Sequence, residues 1–212
     1  MKNIVVIGAG GFGREVAVHI ERINEVEPQW NLVGYIDEEA TETPEGYPVL
    51  GNLEHFLTMD RSNYYFIAIA NSKVREKIAA ACEAAGFKAA TLIYPDVKLG
   101  PLVEIGEGSF LGREVSLMNN VKIGKHCIIQ SKGIFGHDTA VGSFTSFMTD
   151  ALIGGESVIG AHCYFGLRCT MINRVKTTDY CTFGACACVV KDAMEAGTYV
   201  GVPAKLIKPL AK

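Results

Sequence analysis

The 212-residue sequence carries little excess charge of either sign: 20 Lys and Arg stand against 23 Asp and Glu, for a net charge of −3. That balance offers no basic stripe to a nucleic-acid backbone. No apolar run approaches the roughly 20 residues of a membrane span, and no basic segment with an apolar stretch behind it opens the chain. The expectation is a cytoplasmic protein that binds neither membrane nor nucleic acid. Seven cysteines are present without a C-x-x-C pair, which argues against a disulfide or metal framework.

What the sequence does have is a strict period of six. Counting in sixes from Leu99, through Leu111, Ile123, Phe135, Phe147, Ile159 and Met171 to Val189, every position is apolar except Thr177. The residue two places earlier is always small or β-branched, the residue that follows is often Gly, and no insertion breaks the phase. Neither a helix nor a lone strand repeats every six residues, so the pattern calls for a repeat architecture. It fits one side of a parallel β-helix, with the large apolar and the small residue inside and a Gly corner next. Three sides make a coil of eighteen, and stacked coils bury a column of aliphatic and small side chains; about five coils fit. A β-sandwich would need turns at uneven spacing. Cys127, Cys163, Cys169 and Cys181 fall on the small inward position, where they act as compact hydrophobes. Cys186 and Cys188 form a C-x-C in a coil, and Cys82 lies in a predicted helix. Thr177 marks a local weakness in the core.

Residues 1–95 read differently. Asn3 to Ile7 is an apolar run ending at Gly8-Ala9-Gly10-Gly11-Phe12-Gly13, with a helix predicted over Arg14 to Ile23. Strand, glycine turn and helix form the context in which a G-x-G-x-x-G signal binds phosphate or sugar. A second strand, Leu32 to Ile36, ends at Asp37 and Glu38, where a carboxylate can accept hydrogen bonds from ribose or base. A loop with Pro44, Gly46 and Pro48 follows, then a short helix near Leu53 to Leu57. Next come a strand over Tyr65 to Ala70, a cap at Asn71-Ser72 for a helix over Lys73 to Ala85, and a strand over Lys88 to Ile93. Four strands in ninety residues suit one nucleotide better than NAD. The chain thus reads as an α/β domain of Rossmann type over 1–95 and a β-helix over 96–212, with an extended tail from Tyr199 to Lys205.

The six-residue phase sorts the histidines. His19 and His55 fall in helices and read as surface or packing residues. His126 and His162 share one phase two coils apart, a relation that zinc sites on β-helices use, but the third ligand position holds Leu167 and zinc needs at least three protein ligands. No metal is expected. His137 stands past the Phe135-Gly136 corner and is followed by Asp138, whose carboxylate can orient the imidazole and raise its basicity. One coil away on either side are Asn119 and Gly155; a Gly there leaves room for a thioester, with an N–H for a developing oxyanion. The dipeptide alone reads more readily as an exposed turn histidine beside a solvated Asp.

Taken together, Gly8 to Val16, Tyr35-Ile36-Asp37, Ile67 to Asn71 with Arg75, the coils with Gly136-His137-Asp138, and Gly201-Val202-Pro203-Ala204-Lys205 resemble the bacterial sugar acyltransferases of the sialic acid O-acetyltransferase and nucleotide-aminosugar N-acetyltransferase group. The resemblance covers almost the whole chain. It implies a left-handed β-helix, a homotrimer, and acetyl-CoA as co-substrate in the groove between neighbouring β-helices. It also implies His137 as general base tuned by Asp138, with Gly155 offering its N–H to the thioester carbonyl. The nucleotide sugar is implied at Gly10, Gly11, Phe12, Asp37, Glu38, Asn71, Arg75 and Gln130, its sugar reaching the histidine of an adjacent subunit. Acetyl-CoA contacts are implied at Ser146, Gly155, Leu167, Ala185, Val202, Pro203 and Lys205. The chain departs from the family at Gln130, where members often carry Asn, and at Ser146, where several carry a second histidine. The implied activity is acetyl transfer to the amine of a nucleotide-linked aminosugar in bacterial surface glycan biosynthesis. An O-acetyltransferase of a free sugar such as sialic acid, a non-catalytic nucleotide-binding trimeric scaffold, and an NAD-binding glycine turn are the alternatives.

Overall fold

A computed structural model of the chain describes residues 1–40, 42–44 and 46–210. They fall into two compact units, Met1–Pro95 and Asp96–Lys212.

The first unit is a parallel α/β sheet of β1 (Lys2–Ile7), β2 (Trp30–Ile36), β3 (Val49–Gly51), β4 (Tyr64–Ile67) and β5 (Lys88–Ala89), in the order β3-β2-β1-β4-β5. Its helices are α1 (Gly11–Val26), α2 (Leu53–Phe56) and α3 (Ser72–Ala84). Helix α1 buries Val16, Ala17, His19, Ile20 and Ile23, the one-sided spacing of an amphipathic helix. It starts at Gly11, earlier than the sequence suggests, because the glycine turn is already helical there. Gly8, at φ +108, and Gly13 have no space for a Cβ, since one on Gly8 would lie 2.9 Å from the Ala68 carbonyl oxygen and one on Gly13 would strike the Gly8 carbonyl. Two expectations change. Strand β3 falls where a loop was expected and pairs with β2; three residues are too short to carry a period. The stretch Lys88 to Ile93 is two strands rather than one, Lys88–Ala89 and Leu92–Ile93.

The second unit is a left-handed parallel β-helix. One face runs through Lys98–Leu99, Ser116–Leu117, Ile134–Phe135, Leu152–Ile153, Thr170–Met171 and Cys188–Val189. A second runs from Glu104–Ile105 to Val158–Ile159, and a third from Phe110–Leu111 to Cys181–Phe183 and on into a hairpin of Gly197–Val200 with Lys205–Pro209. Partners in register are eighteen residues apart, as in Leu117↔Phe135 and Phe135↔Ile153. The expected extended tail, Tyr199 to Lys205, is therefore the end of the first strand, the turn and the first residue of the second strand of a hairpin, whose pairing satisfies the backbone.

Inside, Phe147, Phe165 and Phe183 stack with centroids 4.6 Å apart, and Phe135 meets Phe147 edge-on at 4.8 Å. The small inward residues serve the corners as well as the packing. Ser109, Thr145 and Ser157 donate to the carbonyl oxygens of Gly124, Gly160 and Gly154 at 2.8–2.9 Å. The Cys127 and Cys163 thiols take the same place, 3.3 Å from the Gly142 and Thr178 carbonyls. Thr177, expected to mark a local weakness, lies where the second face continues only as isolated bridges, Val158↔Lys176 and Thr177↔Ala193. Its hydroxyl accepts the Gly160 N–H at 3.1 Å, where the preceding coil uses a backbone carbonyl (Gly142 N–H to Ile159 O, 2.8 Å).

The corners explain the period. Non-glycine residues with φ between 53 and 64° recur every six positions, among them Asn120, His126, Asp138, Glu156 and Arg174. The repeat glycines lie two residues earlier and serve a different need. A Cβ on Gly106 would lie 2.5 Å from Lys125 N, and one on Gly142 would lie 2.8 Å from Ala161 Cα. They permit close approach of successive coils. We expect Gly142→Ala to destabilise the protein by about 1–3 kcal/mol through overpacking, and Phe147→Ala by about 3–5 kcal/mol through a core cavity. Urea unfolding checks both, and a Gly142→Ala midpoint equal to the parent's would show that the corner has slack.

Candidate active site

Phe135 is locked inside by the period, Gly136 turns the corner against the next coil, and His137 and Asp138 are left projecting outward, both side chains more than half exposed. His137 Nδ1 lies 2.8 Å from Asp138 Oδ2. An ionised carboxylate only accepts, so this contact places the imidazole proton on Nδ1 and leaves the Nε2 lone pair available. Nε2 faces Gly155 on the next coil: a Cβ there would sit 3.1 Å from Nε2 and 3.0 Å from the His137 carbonyl oxygen. The other Asp138 oxygen, Oδ1, accepts from Asn120 Nδ2 at 2.7 Å, one coil earlier. Hydrogen bonds from Asn120 and then His137 hold the Asp138 carboxyl below its ordinary value. One coil later, Glu156 is gripped by Arg174 through two bonds of 3.0 and 2.9 Å, and Arg174 foremost, with a smaller effect of the His137 charge, lowers its carboxyl too. The main chain is fixed throughout: Asp138 N donates to Asn119 O (2.9 Å), Glu156 N to His137 O (2.8 Å) and Arg174 N to Gly155 O (3.0 Å). Sequence reasoning missed Asn120, Glu156 and Arg174. Their signal was the coil length itself, since each stands a multiple of eighteen residues from Asp138.

The other candidates on this unit mostly border the face that holds Ile134 and Leu152. His137 and Gly155 lie on the corner that follows this face. Gln130, Leu167 and Ala185 lie on the corner that precedes it, the last two exposed. The turn with Val202, Pro203 and Lys205 is tied to its last strand, Cys188 N donating to Gly201 O at 3.0 Å and Ala204 N to Cys188 O at 2.8 Å. Ser146 is the exception. It is 3% exposed on the third face, because nine residues is half a coil, and the chain does not bring it to His137. His126 and His162 share an edge, with Phe144 between them and Tyr180 after, in a column of near-parallel rings 5.2, 5.2 and 4.6 Å apart. Among the described residues no group of three His, Cys, Asp or Glu is placed to hold a metal ion.

On the first unit a cavity of about 360 Å³ opens past the carboxyl ends of β1, β2 and β4, lined by Ile7, Gly8, Ile36, Asp37, Glu38, Glu39, Leu53, Ile69, Val74 and Ile78. The strand order reverses about β1, the switch point where open α/β sheets bind ligands. Gly10 and Gly11 are exposed at the start of α1, a Cβ on Gly10 would meet no atom within 4 Å, and no side chain caps the helix. Phe12 packs edge-on to Phe66 at 6.3 Å.

Asp37 is largely committed inward. Oδ2 accepts from Ala9 N at 2.8 Å, and Oδ1 from Glu39 N and Ala40 N at 3.0 Å. Partial burial alone would raise its pKa, but these backbone bonds outweigh it and hold the carboxyl low. It ties the glycine turn to the end of β2. Glu38 lines the cavity and accepts from Leu53 N at 3.3 Å. Asn71 caps α3, its side chain accepting from Lys73 N and Val74 N. Arg75 requires correction as a ligand contact: it is 1% exposed and donates to the Ile69 and Ala70 carbonyls at 2.9 Å. Its phase with Ile78, Ala79 and Cys82 puts it on the inner face of α3.

With this geometry in place, the similarities to known proteins are consistent. Residues 3–82 match the family described as PglD N-terminal domain. Over 163 residues the chain is 26% identical to GDP-perosamine N-acetyltransferase of Escherichia coli O157:H7, covering 76% of this chain and 74% of that protein. The acetyltransferase domain of PglB from Neisseria gonorrhoeae FA1090 superposes with a TM-score of 0.90 at 25% identity, over 98% of this chain and 100% of that one, and has been solved with acetyl coenzyme A. WeeI from Acinetobacter baumannii AYE is 31% identical, with a TM-score of 0.85 over 96% of this chain and 99% of that one. The chain belongs to the PglD-type family of nucleotide-sugar N-acetyltransferases, enzymes that use acetyl-CoA to acetylate nucleotide-linked aminosugars.

Proposed function

We propose that the chain transfers the acetyl group of acetyl-CoA to the amine of a nucleotide-linked aminosugar with His137 as general base, the first unit binding the nucleotide and the β-helix carrying the acyl transfer. The observation that carries this reading is the His137 imidazole, bound through Nδ1 to Asp138 with Nε2 directed over a residue that has no side chain. The neutral amine attacks the thioester carbonyl carbon, Nε2 takes the proton from the nitrogen, and the tetrahedral adduct collapses to amide and CoA thiolate. The imidazolium then returns its proton to the thiolate. The Gly155 N–H is the donor aimed at the developing oxyanion. Because an amine is already nucleophilic, positioning supplies most of the acceleration and the base about 10²-fold.

The nucleotide belongs in the cavity of the first unit, with its diphosphate at the open glycines of α1 and its ribose or base toward Glu38 and Glu39. An anion is favoured at a helix N-terminus, and a carboxylate-lined cavity favours hydrogen-bond donors. Acetyl-CoA belongs on the face between the Gln130, Leu167 and Ala185 corner and the His137 corner, its far end at Val202, Pro203 and Lys205. That face exposes Met118, Ile134, Leu152 and Ile172, each 42–47% accessible, an apolar strip suited to a second copy of the chain. The assembly we propose is the homotrimer that the family resemblance implies, with each groove lined by two copies.

Three outcomes test the proposal. A panel of nucleotide-aminosugars with acetyl-CoA, followed by thiol release, should yield turnover on one of them, and His137→Ala should lower it by at least about tenfold with the assembly intact. Unchanged turnover would remove His137 from the chemistry, and activity on free sugars alone would favour the O-acetyltransferase. Leu152→Glu should give monomers in sedimentation equilibrium and little activity. Asp138, with its lowered pKa, stays ionised above the ordinary carboxylate range and loses its charge only as pH falls through that lowered value. An acid limb in the rate profile reports protonation of the general base. Asp138→Asn removes the counter-charge of the imidazolium, so that limb should move to lower pH while kcat falls; a limb that stays in place would separate Asp138 from the base.

A further inference from the structure

We propose that Asn120 is a positioning residue for acyl transfer, its side-chain amide holding the Asp138 carboxylate in the orientation that fixes the proton on His137 Nδ1. The inference rests on the reading of His137 as general base and goes one coil beyond it. Asp138 has two oxygens and each has one side-chain partner: Oδ2 faces His137 Nδ1 at 2.8 Å and Oδ1 accepts from Asn120 Nδ2 at 2.7 Å. Without the second bond, rotation about the Asp138 side chain is restrained only by the imidazole that it is meant to restrain.

The backbone does not require asparagine at this place. Residue 120 has φ 56°, which Asn tolerates well, but the same corner conformation is held by Leu102, Phe144, Arg168 and Tyr180. What distinguishes position 120 is that its amide is one coil from Asp138. The chemistry of the donor matters as well. The charged groups near Asp138 are His137 beside it, Glu156 on the following coil with Arg174 beyond, and, on the preceding coil, Lys122, which is in register with Ala140 and paired with Glu104; at the corner itself the preceding coil presents the uncharged Asn119 and Asn120. On Glu156 the clamp is a guanidinium, which neutralises the carboxylate that it holds. On Asp138 the clamp is a neutral amide, which fixes the carboxylate and leaves its full charge to the imidazolium that forms during the reaction.

The test uses two substitutions in the full chain. Asn120→Gly removes the amide at no cost to the left-handed backbone, and Asn120→Asp keeps the shape but replaces the donor with a second carboxylate. Asn120→Gly should lower kcat about 3–10-fold with KM for acetyl-CoA within about twofold. The ¹⁵N shifts of His137 should move from a single Nδ1-protonated tautomer to a mixture. Asn120→Asp should shift the acid limb of the rate profile upward by about half a unit or more, since added negative charge stabilises the imidazolium. In an Asp138→Asn background, Asn120→Gly should have almost no further effect, because both act on one bond. Additive losses in that double variant, or a parental kcat, pH profile and tautomer in Asn120→Gly, would overturn the proposal. If Asn120→Gly is too unstable to assay, Asn120→Asp with an unshifted profile overturns it equally. Full turnover by His137→Ala would instead defeat the underlying reading of the base.

Discussion

The β-helix depends on one hydrogen bond, repeated at every corner from Asn120 to Cys186. The residue in the left-handed conformation donates its N–H to a carbonyl nineteen residues earlier: Asn120 to Pro101 and Asp138 to Asn119 at 2.9 Å, Glu156 to His137 at 2.8 Å, Arg174 to Gly155 at 3.0 Å. A non-glycine residue in that conformation costs about 1–2 kcal/mol, so the corner exists only because the bond and the burial of the adjoining strand offset it. The bond also sets the coil separation to the strand spacing of about 4.8 Å. At that spacing two turn backbones touch, which is why a Cβ on Gly106 would lie 2.5 Å from the backbone of Lys125. Period, left-handed corners and glycines are three expressions of one constraint.

The same constraint turns side chains into columns with a fixed step. In the column Asn120, Asp138, Glu156, Arg174, two carboxylates on adjacent coils would repel each other. Each has its own donor on the outer side: the amide for Asp138, the guanidinium for Glu156. In the column His126, Phe144, His162, Tyr180, rings take the same step and stack within 11° of parallel. Two histidines on one edge therefore become a packing feature when an aromatic ring separates them, while a single histidine beside an acid becomes a polar site. Geometry is identical in the two columns, and residue chemistry alone decides between them.

This explains which features were legible in the sequence. The coils, the inward cysteines and the isolation of His137 beside Asp138 and Gly155 follow from counting, because backbone bonds forbid a slip in phase. Asn120 was equally countable, eighteen residues before Asp138, but its meaning depends on which oxygen of Asp138 is free, and a spacing does not carry that. Thr177 broke the apolar rule, and the spacing alone does not show that its hydroxyl receives the Gly160 N–H. In the α/β unit, motif logic overreached. Arg75 shares the inner phase of α3 and is consumed by the Ile69 and Ala70 carbonyls, and Asp37 spends its carboxylate on three backbone N–H groups. Both residues build the loops around the cavity of the first unit, and residues near a cavity in sequence need not face it.

The dipeptide Gly154-Gly155 shows how architecture and chemistry can be told apart at adjacent positions. Gly154 occupies the close-approach position of the repeat, where a Cβ would lie 2.6 Å from the carbonyl carbon of Ile172 on the next coil, so the fold demands it. Gly155 occupies the next position, where the fold makes no such demand: the equivalent residues elsewhere include Asn119, Ser143, Ala161, Leu167 and Asn173. The nearest atoms to a Cβ on Gly155 are all of His137, at 3.0, 3.1 and 3.2 Å. A glycine at a position where other coils carry side chains is set against Nε2 of an imidazole whose Nδ1 is already bound to Asp138. The repeat sets the two residues one coil apart, and the missing side chain keeps a Cβ from lying 3.1 Å from Nε2.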